Sequence, residues 1–193
     1  APCRLRSGEE RGLRVLFYGT YVPLHGIDVI LDAAAQLEPE SGISFTLVGR
    51  GQLFETLELR ARDLTNVKLI DRWIGVDELV EHICSSDLCL GIFGRTAKAA
   101  RVIPYKVFGA VALGKAVVTR DSPAIREFFR NDDSALLCAP EGPDLAKTIL
   151  RVCANRELLQ HVASAGHRRY LELGTPAAVG ANLRPAIEQR LAG

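Results

Sequence analysis

The sequence predicts a doubly wound α/β domain built on a Rossmann-like, mainly parallel sheet of six strands. Six short apolar runs recur at wide spacing along the chain, and each is too short for a helix. The runs are apolar on both faces, as buried parallel strands are. Segments with helical periodicity lie between them, and strands that alternate with helices form a parallel sheet covered on both faces. A chain of 193 residues, 48% of them hydrophobic, suits one domain with a full core.

The elements can be placed in order along the chain. Strands are predicted at 15–18, 44–48, 67–70, 88–92, 116–119 and 135–138. The first helix follows Gly26, because apolar residues then recur every three or four positions: Ile27, Ile30, Leu31, Ala34 and Leu37. Further helices are predicted near Asp77, from Pro104 to Gly114, after Pro143 and near Glu157. Proline at a helix start and glycine after its end are typical of such boundaries.

Three segments are predicted: a linker at 1–12, a single domain at 13–173 and an amphipathic helix at 174–193. The last helix carries Val179, Leu183, Ile187 and Leu191 at steps of four, and it is free to pack on this domain or on a missing neighbour. The sequence contains no methionine, which favours a fragment or a processed product.

Composition excludes several classes of protein. The net charge of +1 gives no support for nucleic acid or a membrane surface as a partner. The polar segment 1–12 does not resemble a signal peptide, and no apolar run approaches the roughly 20 residues of a membrane span. The five cysteines are scattered, and most lie in apolar runs. They are therefore expected to be reduced, buried thiols, which favours a cytoplasmic location.

The loops after the first two strands are rich in glycine. The first runs from Gly19 to Gly26 and leads into a helix, whose free N–H groups suit a phosphate. The alternative is an ordinary turn in which His25 faces solvent. The second loop contains Gly49, Arg50 and Gly51, and a surface role for this arginine is an equal alternative. The fingerprint Gly-x-Gly-x-x-Gly is absent, which disfavours a nicotinamide cofactor.

Two further loops carry aromatic and basic residues. Trp73, the only tryptophan, follows the third strand, where it could stack on a nucleobase or pack in the core. After the fourth strand come four cations with no acid among them, Arg95, Lys98, Arg101 and Lys106. They precede the helix begun by Pro104, so they predict an anion site; a solvated loop is the alternative. No phosphate-loop motif, nucleophile elbow or metal-spaced His/Cys set is present.

Taken in order, these segments resemble the C-terminal, donor-binding domain of retaining glycosyltransferases with the two-domain GT-B fold (glycosyltransferase group 1, family 4-like). The resemblance spans roughly residues 13–173. It rests on Gly19 at the end of the first strand, His25-Gly26, Val48-Gly-Arg-Gly, Ile103-Pro-Tyr-Lys-Val-Phe, Ala112-Leu-Gly-Lys-Ala-Val-Val and the turn at 140–146.

The resemblance implies transfer of a sugar, of the hexosyltransferase type, from a nucleotide diphosphate sugar to an acceptor with retained configuration. It implies no cofactor and no metal. It also implies a partner, an N-terminal acceptor-binding domain outside this chain, without which the chain is inactive and through which any membrane contact would be made. No catalytic residue is assigned on this chain. The donor-binding residues implied are Gly19, Thr20, His25, Gly26, Arg50, Gly51, Trp73, Arg101, Pro104, Tyr105, Lys106 and Gly109.

Four of these positions depart from the family pattern. Gly109 stands where the family has a glutamate that accepts hydrogen bonds from the ribose, and Arg101 stands where many members have a second acid. Thr20 and His25 replace an arginine and a lysine. Loss of the carboxylate should weaken nucleotide binding by about ten- to a hundredfold, since a hydrogen bond to a charged group contributes roughly 1.5 to 3 kcal/mol. Arg101, Lys106 and a protonated His25 are expected to supply charge instead.

Three alternatives follow from the same residues. A catalytically degenerate domain, kept as a partner-binding or regulatory module, would carry such departures. A two-domain sugar-nucleotide 2-epimerase would need carboxylates around the cleft, and the acid-free stretch 95–106 argues against it. A nicotinamide-binding domain is the least favoured alternative.

Overall fold

A computed structural model describes Cys3, residues 12–40 and residues 42–191. All six strands are parallel and form one sheet in the order β3-β2-β1-β4-β5-β6. The strands are β1 (Leu13–Tyr18), β2 (Ile43–Val48), β3 (Val67–Ile70), β4 (Leu88–Leu90), β5 (Ala116–Arg120) and β6 (Leu136–Cys138). The predicted doubly wound sheet is therefore confirmed.

Helices cover both faces of the sheet. They are α1 (Ile27–Gln36), α2 (Phe54–Ala61), α3 (Val76–Ser85), α4 (Tyr105–Ala112), α5 (Pro123–Phe128), α6 (Gly142–Ala154), α7 (Arg156–Leu173) and α8 (Pro176–Leu191). Buried residues of α1, α2, α6 and α7 form one core cluster with the sheet, and those of α3, α4 and α5 form the other. The sequence prediction missed α2 and α5.

The winding of the chain changes direction next to β1. This strand pairs with β2 on one side, Val15 opposite Phe45, and with β4 on the other, Val15 opposite Leu88. The carboxyl ends of β1 and β4 therefore border the crevice at which open α/β sheets bind ligands.

The helix α8 contains Pro185, and its apolar residues at steps of four are between 49% and 83% exposed. Val179 lines a hollow beside α4 and α7. The three-segment division of the chain stays a prediction, and most of the predicted linker lies outside the described residues. No helix among the described residues has both the length and the apolar character needed to cross a bilayer.

The cysteine prediction needs a correction. Cys3 and Cys84 form a disulfide across 81 positions of sequence, whereas Cys89, Cys138 and Cys153 are free. The backbone N–H of Cys3 donates to the carbonyl of Leu113 at 2.9 Å, which holds the residue beside the end of α4. Sequence spacing does not reveal this contact. The cytoplasmic location stays a prediction.

Candidate functional site

The loops after β1, β2 and β3 lie against each other at the carboxyl edge of the sheet. The N–H of Gly19 donates to Val48 at 2.9 Å, and that of Gly49 donates to Ile70 at 3.0 Å. A Cβ on Gly49, whose φ is +136°, would lie 2.1 Å from the carbonyl oxygen of Gly19. Only glycine allows this approach, so the first two loops pack backbone to backbone. Gly51 packs in the same way on Tyr21.

The loop that leads into α1 is seated on the end of β4. Residues Pro23–His25 form a short 3-10 turn, and Gly26 follows with φ +63°. A Cβ there would lie 2.4 Å from the carbonyl carbon of Phe93, whose N–H donates to the carbonyl of His25 at 2.9 Å. The start of α1 is thereby fixed beside the crevice.

His25 is a neutral side chain in this loop. Its Nδ1 hydrogen-bonds the carbonyl of Thr20, and its ring meets the Phe17 ring edge-on at 5.8 Å. Burial, and then the neighbouring Lys106, lower the pKa of His25 to about 4. The partner is a carbonyl, so Nδ1 carries the hydrogen and Nε2 is left as an acceptor. The expectation of a protonated His25 is therefore wrong at neutral pH.

Lys106 is buried instead of displayed at the surface. It lies in the first turn of α4 and is 8% exposed. Its Nζ lies 3.8 Å from the centroid of the Phe17 ring and has no hydrogen-bond partner among the described residues. A Cβ on Gly19 would lie 2.8 Å from this Nζ, which places the amine beneath the first loop. Burial lowers the pKa of Lys106 well below its usual value.

The predicted cluster of four cations does not form as a unit. Arg95 pairs with Glu141 at 2.7 Å and with Asp28 at 3.4 Å. Lys98 is exposed, and Arg101 is exposed at the end of a short 3-10 turn. In the described part of the chain, no hydrogen bond or ion pair joins the Arg101 side chain to the site. Of these four cations, only Lys106 places its side chain under the first loop.

Pro104 and Tyr105 form the start of α4, as predicted. Pro104 is the residue immediately before the helix, and it has extended backbone geometry. Tyr105 is the first helical residue, and 88% of its surface is exposed. No side chain caps this helix end, so its first N–H groups are available to a ligand.

Trp73 stands at the rim of a small hollow instead of in the core. The indole is 69% exposed. The hollow, of about 120 Å³, is lined by Tyr18, Gly19, Val48, Gly49, Arg72, Trp73, Ile74 and Leu79. Arg50 lies nearby, mostly exposed, with its Nε 3.5 Å from Asp71. This exposure excludes a place in the core for Trp73.

Sequence reasoning missed Tyr18. Its hydroxyl donates to the carbonyl of Lys106 at 2.7 Å, so it ties the end of β1 to α4. A Cβ on Gly109 would lie 3.1 Å from that hydroxyl. The signal available in the sequence was only the position of Tyr18 directly before Gly19.

Gly109 also lines a larger, apolar hollow. This second hollow, of about 440 Å³, lies between α4, α7 and α8, with the end of α5 beside it. Its walls include Tyr105, Phe108, Phe128, Tyr170 and Val179. The position at which the family has a carboxylate therefore borders an apolar hollow on one side and the hydroxyl of Tyr18 on the other.

A family profile decides the identity. The profile described as glycosyl transferases group 1 matches residues 12–155. The chain belongs to this family. A search of curated proteins finds no match.

Solved structures of glycosyltransferases have the same fold. HepE of Anabaena in complex with UDP-glucose is 18% identical, with a TM-score of 0.75 over 92% of this chain and 49% of its own. The sucrose-phosphate synthase of Thermosynechococcus elongatus is 16% identical, with a TM-score of 0.75 over 95% and 47%. This chain therefore spans about half the length of these two relatives.

A third structure consists of one domain. The C-terminal domain of LpcC, a glycosyl transferase group 1 family protein of Francisella tularensis, is 15% identical, with a TM-score of 0.69. The alignment covers 88% of this chain and 95% of that domain. The group 1 domain described here is thus similar to a C-terminal half, as the sequence predicted.

Proposed function

We propose that this chain is the donor-binding half of a glycosyltransferase that moves a sugar from a nucleoside diphosphate sugar to an acceptor with retained configuration. The observation that carries the proposal is Lys106, a buried amine without a partner at the start of α4. It lies beneath Gly19 at the switch point of the sheet. Membership of the group 1 family and the UDP-glucose in the related HepE structure support the same class of substrate.

In this proposal the diphosphate lies between the first loop and the start of α4. Lys106 and the free N–H groups of α4 would stabilise the negative charge that grows on the leaving group. His25, through Nε2, would accept a hydrogen bond from a donor hydroxyl. The nucleobase would lie in the hollow of about 120 Å³, with Trp73 as its stacking surface. No resident cofactor or metal has a part.

The acceptor belongs to an N-terminal domain outside this chain. We propose that this domain completes the catalytic site, that the whole protein works in the cytoplasm, and that any membrane contact is made by the missing half. Nucleic acid has no part in the proposal.

A thermal-shift screen against UDP, GDP, ADP, TDP and the matching sugar nucleotides tests donor binding. At a ligand concentration of 100 dissociation constants we expect about 2.7 kcal/mol of stabilisation. For a chain of this size that is a rise in Tm of roughly 5 to 10 °C. The rise should occur with one base and should shrink in Trp73→Ala and Lys106→Met. The matched control Lys147→Met, an exposed position on α6, should keep the full rise.

A second candidate function is a degenerate, partner-binding module. The observation that favours it is Gly109, which stands in place of the family carboxylate and borders an apolar hollow of about 440 Å³. If no nucleotide at millimolar concentration raises the Tm, this candidate replaces the donor-binding proposal.

A further inference from the structure

The amine of Lys106 lies in an environment that disfavours its charged form. The face of the Phe17 ring favours the cation only weakly, and no carboxylate or carbonyl of the described residues accepts its hydrogens. Removing an ammonium group from water without a partner is costly, and a lysine in this position releases its proton instead. The lowered pKa of Lys106, caused by burial, agrees with this geometry.

The titratable groups around this amine do not restore the charge. His25, from the loop after β1, is neutral, because its pKa is about 4. Tyr18, from β1, uses its hydroxyl to bond the Lys106 carbonyl, and burial raises its pKa. Cys89, from β4, is buried, which raises the pKa of its thiol to about 11, and Tyr105 on the same helix is exposed. His25, Tyr18 and Cys89 therefore offer the amine no negative partner at neutral pH.

The following inference rests on the proposed function. We propose that Lys106 takes up one proton as the diphosphate of the donor binds. The site therefore becomes cationic only in the complex. The dianion supplies the partner that the amine lacks, and an opposite charge at contact distance favours the ammonium form. Binding of the nucleotide and protonation of Lys106 are then a single linked equilibrium. An uncharged ligand such as a nucleoside cannot drive this proton uptake, because it offers the ammonium group no negative partner.

The linkage fixes the sign of the pH effect. Between the pKa of Lys106 in the empty site and its higher pKa in the complex, each unit of rising pH should weaken donor binding up to tenfold. Below that window the amine is charged in both states, and the effect disappears. Ionisation of the ligand alone would have the opposite effect, because a more negative ligand would bind more tightly as the pH rises.

Isothermal titration calorimetry of the 193-residue chain with UDP-glucose tests the inference. UDP-glucose does not titrate between pH 7 and 8, so the proton exchange measured in that range belongs to the protein. Titrations in two buffers with different ionisation enthalpies should show uptake of close to one proton in the wild type and close to none in Lys106→Met. The matched control Lys147→Met should keep the uptake, because it leaves the amine in place. His25→Gln should weaken donor binding, but each bound ligand should still bring one proton, because the amine of Lys106 remains. The proton uptake of the wild-type protein tests the inference by itself, even if a variant does not fold.

The outcomes separate the two proposals. If UDP-glucose binds without proton uptake, or if Lys106→Met takes up the same proton, the inference fails and the proposed function stands. If no sugar nucleotide binds but sulfate, a dianion that does not titrate in this range, binds with uptake of a proton, the proposed function fails and the inference stands. If neither ligand binds, both fail.

Discussion

Gly109 stands where the family pattern has a glutamate, and the structure shows what a side chain at this position would contact. A Cβ at this position would lie 3.1 Å from the hydroxyl of Tyr18, which is itself bonded to the carbonyl of Lys106. A carboxylate therefore cannot be added here without a shift of Tyr18. The glycine at this position therefore leaves the room that the hydroxyl of Tyr18 needs for its hydrogen bond to Lys106.

Restoring the family glutamate should strengthen donor binding once Tyr18 gives way. In a Tyr18→Phe background, which removes the hydroxyl, we expect Gly109→Glu to increase UDP affinity about ten- to a hundredfold. The reason is a charged hydrogen bond to the ribose, which contributes roughly 1.5 to 3 kcal/mol. Calorimetry with UDP measures the gain, and 2′-deoxy-UDP should show a smaller one. Equal affinities in Tyr18→Phe with and without the glutamate would show that the ribose does not approach α4.

His25 should give the protein an acid-sensitive stability. Its pKa in the folded state is about 4 against a usual 6.5, because burial disfavours the charged ring. Stability from this residue is complete above pH 6.5 and is lost as the pH falls towards 4, since the unfolded chain binds the proton first. The residue is only partly buried, so we expect a loss of about 1 to 2 kcal/mol. Urea unfolding at pH 7 and pH 4.5 should show a smaller difference in His25→Gln than in the wild type.

Among the elements, the strands and most of the helices were predictable from the sequence, whereas α2 and α5 were not. Each strand is a compact apolar run, and α1, α6 and α7 carry enough apolar residues to reveal their period. The helices α2 and α5 have eight and six residues, and α5 buries only Ile125. Helices this short give too few repeats for a period to be recognised in the sequence. The helix α4 also has eight residues, but Pro104 and Gly114 at its ends revealed it.

The same limit applies to the site. Arg95 lies 67 positions after Asp28 and 46 positions before Glu141. Its two ion pairs therefore follow from the topology and not from any local motif. The burial of Lys106 depends on the approach of Phe17 and Gly19 from another element. Sequence reasoning found the loops and the edge of the sheet, but it could not assign which cations are paired, exposed or buried there.

The disulfide links an N-terminal residue to α3 and should stabilise the fold. Cys3 and Cys84 close a loop across 81 positions, and a crosslink of this kind typically contributes about 2 to 4 kcal/mol. We expect unreduced protein in denaturant to titrate three free thiols and reduced protein five, since Cys89, Cys138 and Cys153 are free. Urea unfolding with and without a reductant measures the energy. Cys3→Ser should reproduce the reduced protein, whereas Cys153→Ser should keep the stability of the oxidised one.

For the molecule as a whole, the strand order explains why one edge collects the ligand-binding features. The crevice lies where β1 separates the two halves of the sheet, and the loops after β1, β2 and β3 all end there together with the start of α4. The hollow beside Trp73 and the amine of Lys106 share Gly19 as a neighbour. A ligand with a base at one end and a diphosphate in the middle fits this arrangement, and its sugar would project beyond the edge of the domain.

Donor binding and sugar transfer should therefore separate between this chain and the whole protein. The chain spans about half the length of the related HepE and sucrose-phosphate synthase, and in the proposed function the acceptor belongs to the other half. We expect the chain alone to bind the donor without transferring its sugar, and the N-terminal half, added in trans or fused, to restore transfer. Proton NMR of the new glycosidic bond should show the anomeric configuration of the donor. Transfer by this chain alone would contradict the division of labour between the halves, and an inverted product would contradict the proposed stereochemistry while leaving donor binding intact.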